Sequence, residues 1–341
     1  MDTGIIYEDA LRLWRSVTAS DLKEATWPGA SASGEGGLLL CGDNLKLMAT
    51  LAEQIGSGLR EPVNLIYMDP PYFSNRDLES HIKLEIQSDE DDENDEKGEK
   101  GEKGEKNEKT ETIVKEPAFS DKWMGKGYRG APKYTMDVYL NMLTPRIVAA
   151  RELLADDGAM WIHLDRRAVH YARVMADVVF GGSDHLINEV VWSYKSGGAS
   201  TRRFSNKHDT LLYYVKNRRK YKFYPREEKS YNRGLKPYRF KGVKEYRDDY
   251  GWYTIVNMKD VWDIPMVGRT AAERTGYATQ KPEALVERIV LSCTEEGDVC
   301  LDPFGGSGTL AAVCARNGRG WISIDENPTA TEIAAKRLET L

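Results

Sequence analysis

The chain has 341 residues, 40% hydrophobic and 10% aromatic, which predicts one large α/β domain with an insertion and excludes a disordered or fibrous protein. Its first residues are mixed in charge without a signal-peptide core, and no run reaches the length of a membrane span, so a cytoplasmic protein without a membrane partner is expected. The net charge of −6 is uneven: residues 89–111 hold 12 acidic and 5 basic residues, a net of −7, which leaves +1 for the rest.

The first strand is expected over 37–41, and the Gly42-Asp43 that follows reads equally as a turn and as a ligand contact. A second strand, 63–68, runs into Asp69-Pro70-Pro71-Tyr72. Two successive prolines keep the backbone extended and remove competing amide donors, so the Pro70 carbonyl stands beside the Asp69 carboxylate. An exocyclic amine has its lone pair delocalised into the ring. A carboxylate and a fixed carbonyl that accept its hydrogens favour the tetrahedral nitrogen able to attack a methyl sulfonium, and Tyr72 offers a stacking face to a base swung out of a duplex. The plainer reading is a strand-ending turn with a structural acid.

Residues 88–111 form a low-complexity acidic tract with a GEK beat, too polar to offset its ordering entropy by burial, and are expected to be a disordered surface loop. Beyond it come a helix over 137–155, a strand over 159–164 and a helix over 167–179; Asp165, between the last two, reads first as a helix cap. Strands follow over 189–194 and 210–215. Residues 195–247 carry 17 Lys or Arg against 4 Asp or Glu, a net of +13, with ten aromatic residues among them. Cations neutralise phosphates while aromatic rings pack or stack, so this stretch is the expected DNA-binding region, with Lys195, Arg202, Arg203, Lys207, Arg218, Arg219 and Lys220 as its phosphate contacts.

The last third predicts a helix over 282–293, a strand over 299–301, a helix over 308–317, a strand over 320–324 and a helix over 329–338. At the junction of the strand 299–301 and the helix 308–317 lies Asp302-Pro303-Phe304-Gly305-Gly306-Ser307-Gly308-Thr309, and Asp325 ends the next strand. Glycines allow the backbone to approach a ligand, and an acid about 20 residues on can accept ribose hydroxyls. No Gly-Lys-Ser/Thr follows, and the third glycine of a dinucleotide fingerprint is missing, so a nucleoside cofactor without a pyrophosphate fits best. Cys41, Cys293, Cys300 and Cys314 form neither a CxxC pair nor zinc spacing with the five histidines; reduced thiols and no metal are expected.

Taken together, Asp69-Pro70-Pro71-Tyr72 followed much later by Phe304-Gly305-Gly306-Ser307-Gly308 resembles the amino-methylating DNA methyltransferases, in the permuted beta-class order. Asn188-Glu-Val-Val-Trp192, Phe204-Ser205-Asn206-Lys207-His208 and Gly158 to Asp165 are similar to methylation subunits of type III restriction-modification systems. The resemblance implies a mostly parallel, doubly wound α/β sheet of the S-adenosylmethionine-dependent methyltransferase type. It implies Asp69, Pro70, Pro71 and Tyr72 as catalytic residues, and Asp43, Lys281, Asp302, Phe304, Gly306, Gly308, Thr309 and Asp325 as cofactor contacts. It divides the chain into a catalytic half (1–216), a target-recognition insertion (217–275) and a cofactor-binding half (276–341). The implied substrate is double-stranded DNA, with adenine N6 favoured over cytosine N4. An RNA or protein-amide methyltransferase and an inactive DNA-binding relative are the rival readings, and a homodimer or a restriction subunit are partners the resemblance leaves open.

Overall fold

A computed structural model describes residues 3–17, 36–73, 77–86, 110–120, 124–126, 132–195 and 200–341. The chain opens with α1 (Thr3–Ser16), β1 (Gly37–Cys41), α2 (Asn44–Gly56) and β2 (Val63–Met68). A two-stranded antiparallel pair, β3 (Asp77–Ile86) and β4 (Thr110–Ser120), flanks most of the acidic tract. Residues 88–109 of that tract lie outside the described residues, whereas Thr110 and Glu111 open β4, so the strand claims the last two positions assigned to the loop. Next come β5 (Met124–Lys126), β6 (Pro132–Tyr134), α3 (Met136–Leu153), β7 (Leu154–Leu164), α4 (Val169–Phe180), β8 (Leu186–Ser193) and β9 (His208–Val215). A three-stranded antiparallel sheet of β10 (Glu227–Tyr231), β11 (Tyr246–Arg247) and β12 (Trp252–Asn257) precedes β13 (Val261–Asp263), α5 (Glu283–Cys293), β14 (Val299–Asp302), α6 (Thr309–Arg316), β15 (Gly320–Asp325) and α7 (Pro328–Leu338).

Eight strands form one sheet in the order β1-β15-β14-β2-β7-β9-β8-β13. All run the same way except β9, which is antiparallel to both its neighbours. The period-2 alternation of side chains explains the layering. Ile66, Met68, Ile162, Leu164 and Ile324 pack one face under α1 to α4, while Leu65, Tyr67, Trp161, Cys300 and Trp321 pack the other under α5, α6 and α7. Strands buried on both faces read as nearly continuous apolar runs, which is why 63–68 and 159–164 were legible as strands.

The small sheet sits inside the stretch expected to be an insertion, but β13 at its end pairs in parallel with β8, Trp262 beside Trp192. The residues around 261–263 therefore belong to the central sheet. Among the described residues no helix is long and apolar enough to cross a membrane, and no group of three or more His, Cys, Asp or Glu could hold a metal ion.

Candidate active site

Because β2, β7, β14, β15 and β1 are parallel, the loops that leave them meet at one edge of the sheet, the usual place for ligands in such folds. From β2 come Asp69, Pro70, Pro71 and Tyr72. Asp69 Oδ2 accepts from the Lys281 ammonium, and its Oδ1, buried, has no hydrogen-bond partner among the described residues. Tyr72 likewise buries a hydroxyl with no such partner; burial, and then the charge of Asp69, hold its pKa well above the ordinary phenol value. A tyrosine so placed stays neutral and can serve as a stacking surface.

The glycine-rich turn between β14 and α6 is fixed by its own backbone. Asp302 Oδ1 accepts from Phe304 N at 2.9 Å, and Gly305 N donates to Ile324 O at 2.8 Å. Gly306 N donates to Asp325 Oδ2 at 2.8 Å, and Asn327 N donates to Asp325 Oδ1 at 2.9 Å. Burial raises the pKa of both Asp302 and Asp325. Gly306 has φ +50°, and a Cβ there would lie 3.1 Å from the Tyr277 ring; Gly308 has φ +71°, and its Cβ would lie 2.9 Å from Ala334 Cβ.

A buried ionic cluster ties this turn to the helices behind it. Arg337 donates to Ser307 O at 3.1 Å, to Thr309 Oγ1 at 3.0 Å and to Glu283 Oε1 at 2.6 Å, and Arg316 pairs with the other Glu283 oxygen. Burial opposes ionisation of Glu283, but hydrogen bonds from Arg316 and Arg337 outweigh it and its pKa falls below the usual 4.5. A depressed carboxylate contributes stability at pH values above its unfolded pKa and loses it as pH drops through the folded value. We expect Glu283→Ala to destabilise the fold by roughly 3 kcal/mol at pH 7, because Arg337 would be left buried and unpaired. The difference from the parent in chemical denaturation should shrink in acid; a pH-independent difference would mean that lost packing is the cause.

The turn and the Asp69 loop enclose a cavity of about 350 Å³, within the size range of small-ligand sites. Its wall includes Tyr277, Phe304, Gly306, Asp325, Lys281 and Arg146. Apolar rings, carboxylates at two strand ends and two cations suit an adenosyl group with an amino-acid tail. The Gly306 position, where a side chain would intrude, shows how closely the backbone must approach such a ligand. S-adenosylmethionine, the cofactor implied by the sequence resemblance, fits these residues. Asp43 does not line the cavity; its carboxylate caps α2, accepting from Leu45 N at 2.8 Å and Lys46 N at 3.3 Å. The lining residue is its neighbour Asn44, which donates to Pro303 O at 2.7 Å and accepts from Arg146 Nε at 2.6 Å.

A second cavity, about 410 Å³, adjoins the first, and Tyr72 and Lys281 line both. Trp192, Tyr194, Arg203 and Asp209 also face it. Behind this wall His163, completely buried, lies between two carboxylates, with Nδ1 3.8 Å from Asp69 and Nε2 3.6 Å from Asp209. Tyr67 Oη is 2.8 Å from the same Nδ1. Asp165, at the mouth, accepts from Arg167 N at 3.0 Å and pairs with its guanidinium.

The residues expected to meet DNA divide into two groups. Lys195, Arg202, Arg203 and Lys207 lie between the end of β8 and the start of β9, at the edge that carries the cavities, and the first three are exposed. Arg218, Arg219 and Lys220 follow the end of β9. Since β9 runs antiparallel, its exit lies at the opposite edge, where Arg218 donates to Asp184 O and Lys220 pairs with Asp156 at 3.0 Å. One reversed strand thus puts these three at the sheet edge opposite the cavities, apart from Lys195, Arg202, Arg203 and Lys207.

The sequence reading did not single out Tyr67, His163, Asp209, Arg146 or Tyr277. For His163 a signal existed, a lone imidazole inside the otherwise apolar run Ala159-Met-Trp-Ile-His-Leu164, on the Trp161 side of the alternation. Asp209 is the second residue of β9, after the exposed His208, and only pairing with β8 brings it opposite Trp192.

A family profile described as DNA methylase matches residues 63–336. The Type II methyltransferase M.HpaI of Haemophilus parainfluenzae is 28% identical over 232 residues, 67% of this chain and 68% of that protein. The DNA adenine methyltransferase YhdJ of Escherichia coli is 27% identical over 236 residues, 67% of this chain and 76% of that protein. Among solved structures, the cytosine-N4-specific PvuII DNA methyltransferase matches with a TM-score of 0.53 and 15% identity, covering 89% of this chain and 86% of that one, a likeness of fold. With the Asp69 and Gly306 loops meeting at one sheet edge and a match spanning most of its length, the chain belongs to the DNA methylase family, that of the N6/N4 amino-methylating enzymes.

Proposed function

We propose that the protein transfers a methyl group from S-adenosylmethionine to N6 of an adenine flipped out of double-stranded DNA. The observation that carries this reading is Asp69 on the wall of the first cavity, beside Tyr72 and Lys281, which line both cavities. The first cavity would hold the cofactor, its adenosyl part against Phe304 and Tyr277 and its hydroxyls toward Asp325; bound there, the cofactor supplies an electrophilic methyl group. The second would hold the base, stacked on Tyr72, with Asp69 and the Pro70 carbonyl accepting the amino hydrogens. Fixed acceptors aimed at the developing charge of the amine need no reorganisation as it attacks. YhdJ, by name an adenine enzyme, supports adenine over cytosine. Four free cysteines, three of them buried, suit the reducing cytoplasm in which the DNA lies.

Nucleoside analysis of DNA from a host expressing the chain tests the reading. N6-methyladenine is expected; N4-methylcytosine would overturn the choice of base, and neither product would overturn the activity. The DNA-facing edge has its own test. Arg202→Ala/Arg203→Ala should weaken binding to all sequences and reduce the log-log salt slope by roughly one for each lost phosphate contact. Arg218→Ala/Arg219→Ala, at the far edge, should leave that slope unchanged, and a reduced slope there would mean that DNA reaches around the sheet.

A further inference from the structure

Lys281 occupies two places that the proposed reaction needs. Its ammonium donates to Asp69 Oδ2, the oxygen open to a target amine, since Oδ1 faces His163 at 3.8 Å. The same nitrogen stands 5.1 Å from the centre of the Tyr72 ring, over the face on which a base would stack. A charged amine thus holds the position of the substrate amine, and the base cannot be seated until that ammonium leaves. The Lys281 side chain is only 11% exposed, so a displaced ammonium needs another anion nearby; burying it unpaired is strongly disfavoured.

Two carboxylates on the wall of the second cavity could receive it. Asp165 is already taken by the Arg167 guanidinium and backbone N–H. Asp209 is different. It is 8% exposed, shares the cavity wall with Lys281, and engages one oxygen weakly with the Tyr194 hydroxyl at 3.2 Å, while the other faces His163 Nε2 at 3.6 Å. Burial opposes its ionisation, yet attraction from His163 and Lys281, with the hydrogen bond from the Tyr194 hydroxyl, holds its pKa below the ordinary carboxylate value. It is therefore a ready anion at neutral pH, and it already feels the Lys281 charge.

We propose, resting on the methylation reading above, that Lys281 is a resident placeholder for the target amine and that Asp209 is the positioning residue that receives its ammonium when a base takes Asp69 and Tyr72. His163, between the two carboxylates, keeps the old and the new partner of Lys281 at a fixed separation on one face of the sheet. The device lets the acceptor site stay charge-balanced when no base is present and leaves Asp69 ionised at the moment a base arrives. The competing destination for the ammonium is the carboxylate of the cofactor, and the two destinations differ in what a substitution at Asp209 does.

Tritiated methyl incorporation into unmethylated phage λ DNA, together with calorimetric titration of S-adenosylmethionine in the absence of DNA, decides between them. Asp209→Asn should lower kcat by about tenfold, the scale of a misplaced active-site group, while cofactor affinity stays within about twofold. In a Lys281→Met background the same change should cost less than about twofold, because no ammonium then needs receiving. Asp209→Glu, which keeps the charge, should recover most of the rate, and it carries the test if the asparagine variant melts early. Multiplicative losses in the double variant, a glutamate variant as slow as the asparagine one, or cofactor affinity lost with Asp209→Asn would each overturn the assignment. No labelling by the unsubstituted protein would overturn the methylation reading, and the assignment with it.

Discussion

Asp69→Ala is expected to reduce methyl incorporation into DNA by about 10²–10³-fold or more, the range found when one preorganised polar group is removed from a site of developing charge. Cofactor affinity should change little. Asp69 lines the first cavity next to Tyr72 and Lys281, which line both, and its proposed work is on the amine, which the cofactor does not touch until transfer. Losing the carboxylate also frees Lys281, the group it now binds, but Asp209 on the adjoining wall offers that ammonium another partner, so the fold should survive. Asp69→Asn refines the test. The amide keeps one acceptor oxygen and the shape of the loop but loses the charge, and it should fall between the parent and the alanine variant. Methylation by Asp69→Ala at the parent rate would remove Asp69 from the chemistry, and a parallel collapse of cofactor affinity would make it a structural acid of the turn.

How much of this was legible before the fold was known follows from the physics of each element. The strands 63–68 and 159–164 were readable because both their faces are buried, and the glycine turn because left-handed backbone at Gly306 and Gly308 demands glycine. α1 was not readable as a helix: only Ile6 and Ala10 of its fourteen residues are buried, too narrow a stripe to stand out. The strand over 77–86 alternates Leu78, Ile82, Leu84 and Ile86 with polar residues, yet it borders a highly acidic tract whose composition dominated the reading of the region. The site divided the same way. Motif residues that leave a strand together, such as Asp69 to Tyr72, could be read as a unit. Residues assembled across strands could not: His163 meets Asp69 and Asp209 only through the β2-β7-β9 order of the sheet. The separation of Arg218, Arg219 and Lys220 from the other cations has the same origin, since charge along a sequence says nothing about which edge of a sheet a strand leaves from.

Gly306→Val should weaken S-adenosylmethionine binding by at least about a hundredfold, a loss of roughly 2.8 kcal/mol or more at the rate of 1.4 kcal/mol per tenfold. Two separate causes act at this residue. Its φ of +50° is a conformation that costs an L-residue about 1–2 kcal/mol and a β-branched one the most. Beyond that, a Cβ would stand 3.1 Å from Tyr277 Cε1, and the two methyl groups of valine would have to displace that ring or project into the cavity that Tyr277 and Gly306 both line. Relief by backbone rotation is expensive, because Gly306 N is held by the Asp325 carboxylate at 2.8 Å and turning it would take that donor from Asp325 Oδ2. Gly306→Ala separates the two causes: it bears the conformational cost with a single methyl, so it should bind the cofactor more weakly than the parent but more tightly than valine. Calorimetric titration of both variants, with melting curves as the control for folding, is the measurement. If valine at 306 left cofactor affinity unchanged, the cofactor would have to lie away from the β14-α6 turn, and the assignment of the first cavity would fall with it.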